Sequence, residues 1–279
     1  MTEPPVESAD PCSILLLATD GSEFSAGTER VGLELARRHQ SLLYVLHLLT
    51  AEPGTENAED EEQVAKAHLA RVAGQCAELG IECKPLLRRA DGDIPQAILD
   101  SAKEVRATLL VIGRRGKRGL AKLMVGDATA KILDRAEFPV LVVPRLVSYW
   151  ENEILLAFED ETEDENDATA HAAFDLAQTS GLPLTILLVT EKEESGADRR
   201  DSYQSVNRLV AMAKLRDLAT EGMVQSGDID ELILEVARQR SVDLIVCEPR
   251  DRSLMERLFN LNNILKLIGQ AHCPVMVVK

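Results

Sequence analysis

An internal repeat runs through the 279 residues of the chain. Gly92–Ile94 and Phe138–Val140 match Gly227–Ile229 and Cys273–Val275, in both cases 135 residues later. Nearer the start of each copy the offset is 140, so the second copy is shorter by about five residues, which we place in the acidic loop around Glu56. A period of this length indicates two copies of a whole domain rather than a solenoid of short repeats.

Both copies alternate short apolar runs with segments of helical spacing. This alternation predicts parallel strands joined by right-handed crossover helices. The fold class is therefore α/β, with two tandem open parallel five-stranded sheets and helices on both faces. We place the domain boundary within residues 144–152, which gives a first module, 1–148, and a second module, 149–279. The apolar runs are Ile14–Ala18, Leu42–Leu46, Leu109–Ile112 and Val140–Val143, then Ile154–Phe158, Leu184–Val189, Leu244–Cys247 and Val275–Val278.

Charge and composition narrow the range of partners. The net charge is −16, from 47 acidic and 31 basic residues, which argues against nucleic acid and anionic membranes as partners. No apolar run approaches the roughly 18 residues of a membrane span, and Met1–Pro11 has no signal-peptide pattern. The five cysteines have no CxxC or zinc-type spacing. We expect a cytoplasmic protein with reduced thiols, and solvated loops at the acidic runs Glu56–Glu62 and Glu159–Asp167.

An acidic loop follows the first predicted strand. Ligands of open parallel sheets bind at the carboxyl ends of the strands, so residues Thr19–Ser22 lie where a ligand is expected. Asp20 would accept hydrogen bonds from a ribose, help to hold a metal ion, or cap the helix that starts near Ser25. The sequence leaves these roles open.

The loop after Ile112 combines glycines with positive charge. Gly113, Gly116 and Gly126 allow sharp turns and expose N–H groups to an anion, and a helix that starts at Ala128 adds its dipole. These features predict a phosphate-binding loop, and we include Asp127 with Ala128 among its candidate residues. The basic side chains that concentrate positive charge there are Arg114, Arg115, Lys117 and Arg118.

The spacing Gly113-x2-Gly116-x9-Gly126 resembles the Gly-x2-Gly-x9-Gly-(Ser/Thr) signature of the universal stress protein family. The resemblance covers nearly the whole chain as a tandem pair. It implies an adenine nucleotide α-hydrolase-like fold that binds ATP or another adenine nucleotide, with or without magnesium, in the first module. It also implies that the closing strand of the first module, Val140–Val143, pairs with the closing strand of the second, Val275–Val278. The implied nucleotide contacts are Asp20 near the ribose and adenine, Val45 near the base, and Gly113, Gly116, Gly126 and Thr129 about the phosphates.

One residue departs from the signature, because Asp127 stands where the family has Ser or Thr. A carboxylate about 4 Å from a triphosphate costs a few kcal/mol at an effective dielectric near 20. Asp127 either turns outward while its N–H still serves, is bridged by a divalent ion, or selects a less charged ligand. The second copy has lost the loop, so we expect no ATP there. Its residues at the positions of Gly113, Gly116, Gly126, Asp127 and Thr129 are Glu248, Asp251, Leu261, Asn262 and Ile264.

The favoured interpretation is a stress-response or regulatory protein with one nucleotide site in the first module and a second module that serves as a structural partner. The alternative is a nucleotide-free scaffold that binds a client protein. No Gly-x-Ser-x-Gly elbow or Walker motif is present, so we expect no enzyme beyond slow, incidental ATP hydrolysis. We expect a homodimer, and we interpret His47 and His68 as residues without a catalytic or metal-binding role.

Overall fold

The computed structural model describes residues 11–114, 125–158, 168–190, 196–248 and 263–279. The first module contains β1 (Ile14–Ala18), α1 (Ala26–His39), β2 (Leu42–Leu49), α2 (Glu56–Glu78), β3 (Cys83–Arg89), α3 (Ile94–Val105), β4 (Leu109–Gly113), α4 (Asp127–Arg135) and β5 (Val140–Val143). The second contains β6 (Ile154–Phe158), α5 (Ala168–Ser180), β7 (Leu184–Thr190), α6 (Ala197–Leu215), β8 (Thr220–Ser226), α7 (Ile229–Gln239), β9 (Leu244–Cys247), α8 (helical residues 263–270) and β10 (Val275–Val277).

The described strands form one continuous sheet in the order β3-β2-β1-β4-β5-β10-β9-β6-β7-β8. Each module contributes five parallel strands. The modules meet where β5 and β10 pair antiparallel, with Leu141 opposite Met276. The predicted fold class and the predicted pairing of the closing strands are both confirmed. Among the described helices, none has the length and apolar character needed to cross a membrane.

The outer strands β3 and β8 explain why only four apolar runs stand out in each copy. The first four residues of β4 and all four residues of β5 are buried, because helices cover both faces of the central strands. The edge strand β3 instead has exposed Lys84 and Pro85. Proline and charge are tolerated at an edge, where they also discourage pairing with another chain.

The helix caps follow the repeat. Asp93 accepts a hydrogen bond from the Gln96 N–H at 3.2 Å, and Asp228 accepts one from the Glu231 N–H at 3.1 Å. These side chains satisfy N–H groups that have no intrahelical acceptor. The offset of 135 residues therefore holds at the level of individual hydrogen bonds.

The first acidic run is helical, so the prediction of a solvated loop there is wrong. Glu56–Glu62 forms the first turns of α2, which Thr55 caps through the Ala58 N–H at 3.2 Å. The Glu61 carboxylate turns back to accept the Thr50 and Ala51 N–H groups at 3.0 and 2.9 Å. Acidic residues are stabilised at a helix N-terminus by its partial positive charge. The second run, 159–167, lies outside the described residues.

The segment between the modules is anchored by two buried aromatic rings. Tyr149 and Trp150 stack with their centroids 4.0 Å apart, and the Trp150 indole N–H donates to Ser180 Oγ at the end of α5. The guanidinium of Arg38, on α1, lies 4.5 Å from the centre of the Tyr149 ring. The linker therefore contacts a helix of each module.

Candidate functional site

The strand order creates a crevice in each module. From β1 the chain crosses to β2 on one side, whereas from β3 it crosses to β4 on the other side of β1. The carboxyl ends of neighbouring strands β1 and β4 thus lie at a topological switch point, where open α/β sheets bind ligands. The two loops singled out by the sequence, after residues 18 and 113, both leave the sheet there. The matching position in the second module lies between β6 and β9.

Asp20 organises the first of these loops. Its Oδ1 accepts hydrogen bonds from the Ser22 N–H at 3.0 Å and from the Ser22 and Ser25 hydroxyls at 2.6 Å each. Ser25 is the N-cap residue of α1 and makes no side-chain cap. Asp20 thus fixes the turn before the helix while staying exposed at the crevice. Among the described residues, no group of three or more His, Cys, Asp or Glu side chains is arranged to hold a metal ion.

A buried polar network lies behind this loop, centred on the Glu29 carboxylate. Glu29 accepts hydrogen bonds from the Thr19 hydroxyl at 2.7 Å and the Arg71 guanidinium at 2.7 Å, and its Oε1 lies 2.8 Å from His68 Nε2. Burial raises the pKa of Glu29, but the hydrogen bonds from His68, Arg71 and Thr19 outweigh it and hold that pKa at about 2. Glu29 is therefore ionised at neutral pH, and His68 Nε2 donates to it.

His47 extends the network by pairing with His68. The two Nδ1 atoms are 3.2 Å apart, so one proton lies between them. Burial and the neighbouring His68 lower the pKa of His47. A side chain at Gly21 would place its Cβ 3.0 Å from the His68 ring, and Gly21 has φ +67°, so the loop packs directly on the network. The sequence offered no motif for this pair, because the two histidines come from different elements.

Backbone hydrogen bonds close the base of the glycine-containing loop. Gly113 is the last residue of β4 and pairs with Val143. The Arg114 N–H donates to Val143 O and the Gly126 N–H donates to Arg114 O, both at 2.9 Å. The buried Thr129 hydroxyl donates to Gly113 O at 3.0 Å, so it holds the strand end against α4. Gly116 and the basic residues Arg115, Lys117 and Arg118 lie outside the described residues.

Helix α4 begins where this loop ends. Gly126 is its N-cap, and the first i→i−4 bond joins the Ala130 N–H to Gly126 O at 2.9 Å. The N–H groups of Asp127, Ala128 and Thr129 precede that bond, so they have no acceptor within the helix. Together with the helix dipole, these N–H groups give the terminus the character that favours an anion.

Asp127 turns away from this terminus. Its side chain is 98% exposed, and within the described part of the chain it pairs with Lys131, with Oδ2 and Nζ 3.9 Å apart. This is the first of the three arrangements considered for the departure from the signature. The backbone N–H of Asp127 stays at the helix start while the carboxylate lies in solvent.

The side chain of Arg114 has a different role from the predicted phosphate contact. Its guanidinium donates to the carbonyl groups of Ile268, Gly269 and Ala271 at 3.1, 3.2 and 3.0 Å. These carbonyls end α8, where C-terminal acceptors and the negative end of the dipole favour a cation. Arg114 therefore docks the first module on the second, a role hidden in the sequence because the acceptors are backbone atoms about 155 residues away.

Val45 lies too deep in β2 to contact a base with its side chain. It is fully buried and pairs with Leu17, before the end of β1. Because both faces of a central strand are covered, the Val45 side chain, near the middle of β2, packs in the hydrophobic core. Leu48, half-buried and closer to the carboxyl end of β2, is the better candidate.

The second module replaces the loop chemistry at the matching crevice. Glu248, at the Gly113 position, lies 3.2 Å from the Thr169 hydroxyl, which donates to it. Ile264, at the Thr129 position, is buried and has no hydroxyl group. A small cavity lies between them, lined also by Phe158 and Asp230. Burial raises the pKa of Asp230. Carboxyl groups and apolar side chains thus line the position where the first module presents glycines and amides.

Comparisons with known proteins agree with this architecture. The model described as the universal stress protein family matches residues 13–144 and 152–279. Universal stress protein YxiE of Bacillus subtilis is 31% identical over 145 residues, which cover 46% of this chain and 97% of that protein. A solved universal stress protein of Archaeoglobus fulgidus DSM 4304 matches with a TM-score of 0.73 and 19% identity, over 95% of this chain and 96% of that one. A putative universal stress protein of Pseudomonas aeruginosa UCBPP-PA14 also matches with a TM-score of 0.73, at 18% identity over 96% and 93% of the two chains. With both of its modules matched by the family model, the chain belongs to the universal stress protein family.

Proposed function

We propose that the first module binds ATP or another adenine nucleotide in the crevice between β1 and β4, and that this binding serves a regulatory role in the stress response. The observation that carries the proposal is the N-terminus of α4, which begins at Gly126 beside the end of β4. Its first-turn amides lie at a topological switch point, where an anionic ligand gains both the N–H groups and the helix dipole.

Each part of the crevice has a place in this proposal. The phosphates would contact the N–H groups of Asp127, Ala128 and Thr129, with Gly113 allowing close approach of the backbone. The Asp20 carboxylate would accept hydrogen bonds from the ribose hydroxyls. Leu48 would pack near the base. With Asp127 turned outward, its carboxylate does not exclude a triphosphate, and a magnesium ion would be held by the phosphates rather than by a protein cage.

The second module would act as a structural partner that binds no nucleotide. Glu248 places a carboxylate where a phosphate would lie, and these two negative charges would repel each other. Ile264 removes the hydroxyl that holds the strand end to the helix in the first module. We propose no enzymatic activity beyond slow, incidental hydrolysis, and we expect the protein to act as a homodimer in the cytoplasm.

Titration of the full chain with ATP, ADP and AMP, with and without magnesium, tests the proposal. Gly113→Glu, which copies the second module, should abolish binding because it places a carboxylate and a bulky side chain at the phosphate position. Gly74→Glu is the matched control, since a Cβ there meets nothing within 4 Å and the added charge lies on α2. Unchanged affinity in Gly113→Glu would mean that the nucleotide binds elsewhere.

A nucleotide-free scaffold is the second candidate, and the Arg114 contact favours it. The described arginine of the loop is used to hold the modules together rather than to attract an anion. If purified protein neither carries nor binds an adenine nucleotide, the surface of the two joined modules would bind a client protein instead. Capture of the same client by wild type and by Gly113→Glu would support this function.

A further inference from the structure

Two cysteines that the proposed function does not use lie at the two ends of one turn, at the far edge of the first module. Cys76 is in the last turns of α2, and Cys83 is the first residue of β3. A tight turn reverses the chain between them, with Gly80 at φ +70° and the Ile81 N–H donating to Cys76 O at 2.8 Å. Cys83 packs against the same hydrophobic cluster that contains Cys76, and the two thiols are close enough for each to shift the pKa of the other.

The two thiols differ in their surroundings. The Cys76 side chain has no exposed surface, whereas Cys83 is partly exposed at the edge of the sheet. The hydrogen bond to Cys83 and burial raise the pKa of Cys76 far above its usual range, and the hydrogen bond from Cys76 lowers the pKa of Cys83. Of the two thiols, Cys83 is therefore the one that loses its proton more readily. The accessible sulfur is also the nucleophilic one.

We propose that Cys76 and Cys83 form a reversible redox pair in which Cys83 reacts with a peroxide and Cys76 resolves the product as a disulfide. In the first step the Cys83 thiolate attacks one peroxide oxygen. The S–O bond forms, the O–O bond breaks, and with hydrogen peroxide the leaving hydroxide takes a proton and departs as water.

In the second step the Cys76 sulfur attacks the sulfenic sulfur of Cys83. The S–S bond forms, the S–O bond breaks, and the Cys76 proton leaves with the hydroxide as a second water molecule. Two thiols and one hydrogen peroxide thus give one disulfide and two waters, with two electrons passing from the sulfurs to the peroxide. A dithiol reductant returns both thiols.

The remaining described cysteines provide an internal comparison. Cys273 is 2% exposed, and burial raises its pKa to about 12, so its thiolate is scarce at neutral pH. Cys12 and Cys247 are also buried. Reaction with peroxide should therefore be selective for Cys83.

Mass spectrometry of the reduced full chain after hydrogen peroxide treatment and alkylation tests the proposal. Trypsin releases both cysteines in the peptide 72–88, because Lys84 precedes a proline. We expect this peptide to lose two hydrogens and to resist alkylation, while Cys273 stays alkylated. Cleavage after Glu78 and Glu82 should leave the two halves joined until dithiothreitol is added. Free thiols at Cys76 and Cys83 while Cys273 is oxidised, or overoxidation of Cys83 without a disulfide, would overturn the pair.

Variants separate the roles of the two sulfurs. Cys76→Ser should accumulate a sulfenic acid at Cys83 that dimedone traps, whereas Cys83→Ser should leave Cys76 unreactive. Cys273→Ser, the control, should form the disulfide as wild type does. Circular dichroism checks that each variant folds. If Cys76→Ser does not fold, the wild-type peptide map still shows whether the disulfide forms. Equal trapping in Cys76→Ser and Cys83→Ser would contradict the assigned order.

Discussion

Glu29 is a buried carboxylate whose charge depends on its neighbours. Its side chain is only 10% exposed, and burying an ionised carboxylate without partners costs several kcal/mol. Hydrogen bonds from Thr19, His68 and Arg71 offset that cost. Because Thr19 also accepts the Gly21 N–H at 3.1 Å, the same network fixes the loop that carries Asp20.

Glu29→Gln should lower the free energy of unfolding by about 3 kcal/mol at neutral pH, as expected for a pKa held at about 2 in the folded state. The folded pKa lies below the unfolded value of 4.5, so this contribution is complete above that value and is lost as pH falls toward 2. Urea unfolding of wild type and variant across acidic pH measures the difference, which should shrink on acidification.

Glu34→Gln is the matched control for that experiment. Glu34 also has a pKa of about 2, set first by the hydrogen bond from Arg37, but it lies on the surface of α1. Surface ion pairs contribute about 0–1 kcal/mol, so the control should lose less stability than Glu29→Gln. A difference between wild type and Glu29→Gln that stays constant with pH would contradict the assigned ionisation.

Asp127→Ser restores the family residue, yet we expect it to change the affinity for ATP by less than about threefold. The carboxylate is 98% exposed, and charges in solvent are strongly screened. Calorimetric titration of both proteins at the same ionic strength measures the ratio. Tenfold tighter binding by the variant would indicate that Asp127 faces the phosphates when the nucleotide is bound.

Individual side chains were less predictable from sequence than their loops. The spacing of Gly113 and Gly126 identified the second loop, and Asp20 identified the first. The outward direction of Asp127 depends on where its backbone joins α4, which no local pattern specifies. His47 and His68 come together only because β2 and α2 pack, so their pairing is a property of the tertiary structure.

At the scale of elements, α8 is held by a side chain from the other module. Arg114 leaves the end of β4 and donates to three carbonyl groups at the C-terminus of α8. Hydrogen bonds that involve a charged group are stronger than neutral ones. The contact ties the base of the candidate phosphate loop to the second module, so the loop and the interface share one residue.

Arg114→Ala should destabilise the whole chain by about 1–3 kcal/mol, because buried carbonyl groups lose charged donors. Nucleotide affinity should fall far less than in Gly113→Glu. Thermal unfolding with a parallel ATP titration separates the two effects, with Arg37→Ala on the exposed face of α1 as the control. Intact stability with abolished ATP binding would return Arg114 to the phosphate site.

Most elements were predictable, and the exceptions have physical causes. Central strands are apolar because both their faces are covered, so their pattern is plain in the sequence. β3 and β8 have one neighbour each and carry polar residues such as Lys84 and Glu221, which hide them from a search for apolar runs. The run Glu56–Glu62 resembles a solvated loop in composition, but Thr55 and the helix dipole stabilise it as a helix.

For the molecule as a whole, the sheet is continuous because β5 and β10 complete each other. Both strands are fully buried, and their antiparallel pairing leaves no apolar edge at the centre. The β5–β10 junction therefore forms within one chain, whereas two separate modules would have to form it between chains. The two crevices lie on either side of this junction.

The isolated first module, residues 1–148, should self-associate through the uncovered β5 strand. An exposed apolar edge strand is a template for pairing with another chain. Analytical ultracentrifugation of the fragment over a range of concentrations should show dimers or larger species. A stable monomer at all concentrations would mean that β5 is protected without β10.

The number of nucleotide sites per chain is the most direct test, because we propose that the first module binds a nucleotide and the second binds none. Calorimetric titration of the wild-type chain with ATP measures it. We predict one site per chain, lost in Gly113→Glu and kept in Gly74→Glu. Two sites per chain, or one site that survives Gly113→Glu, would contradict the assignment of the crevice between β1 and β4 as the nucleotide site.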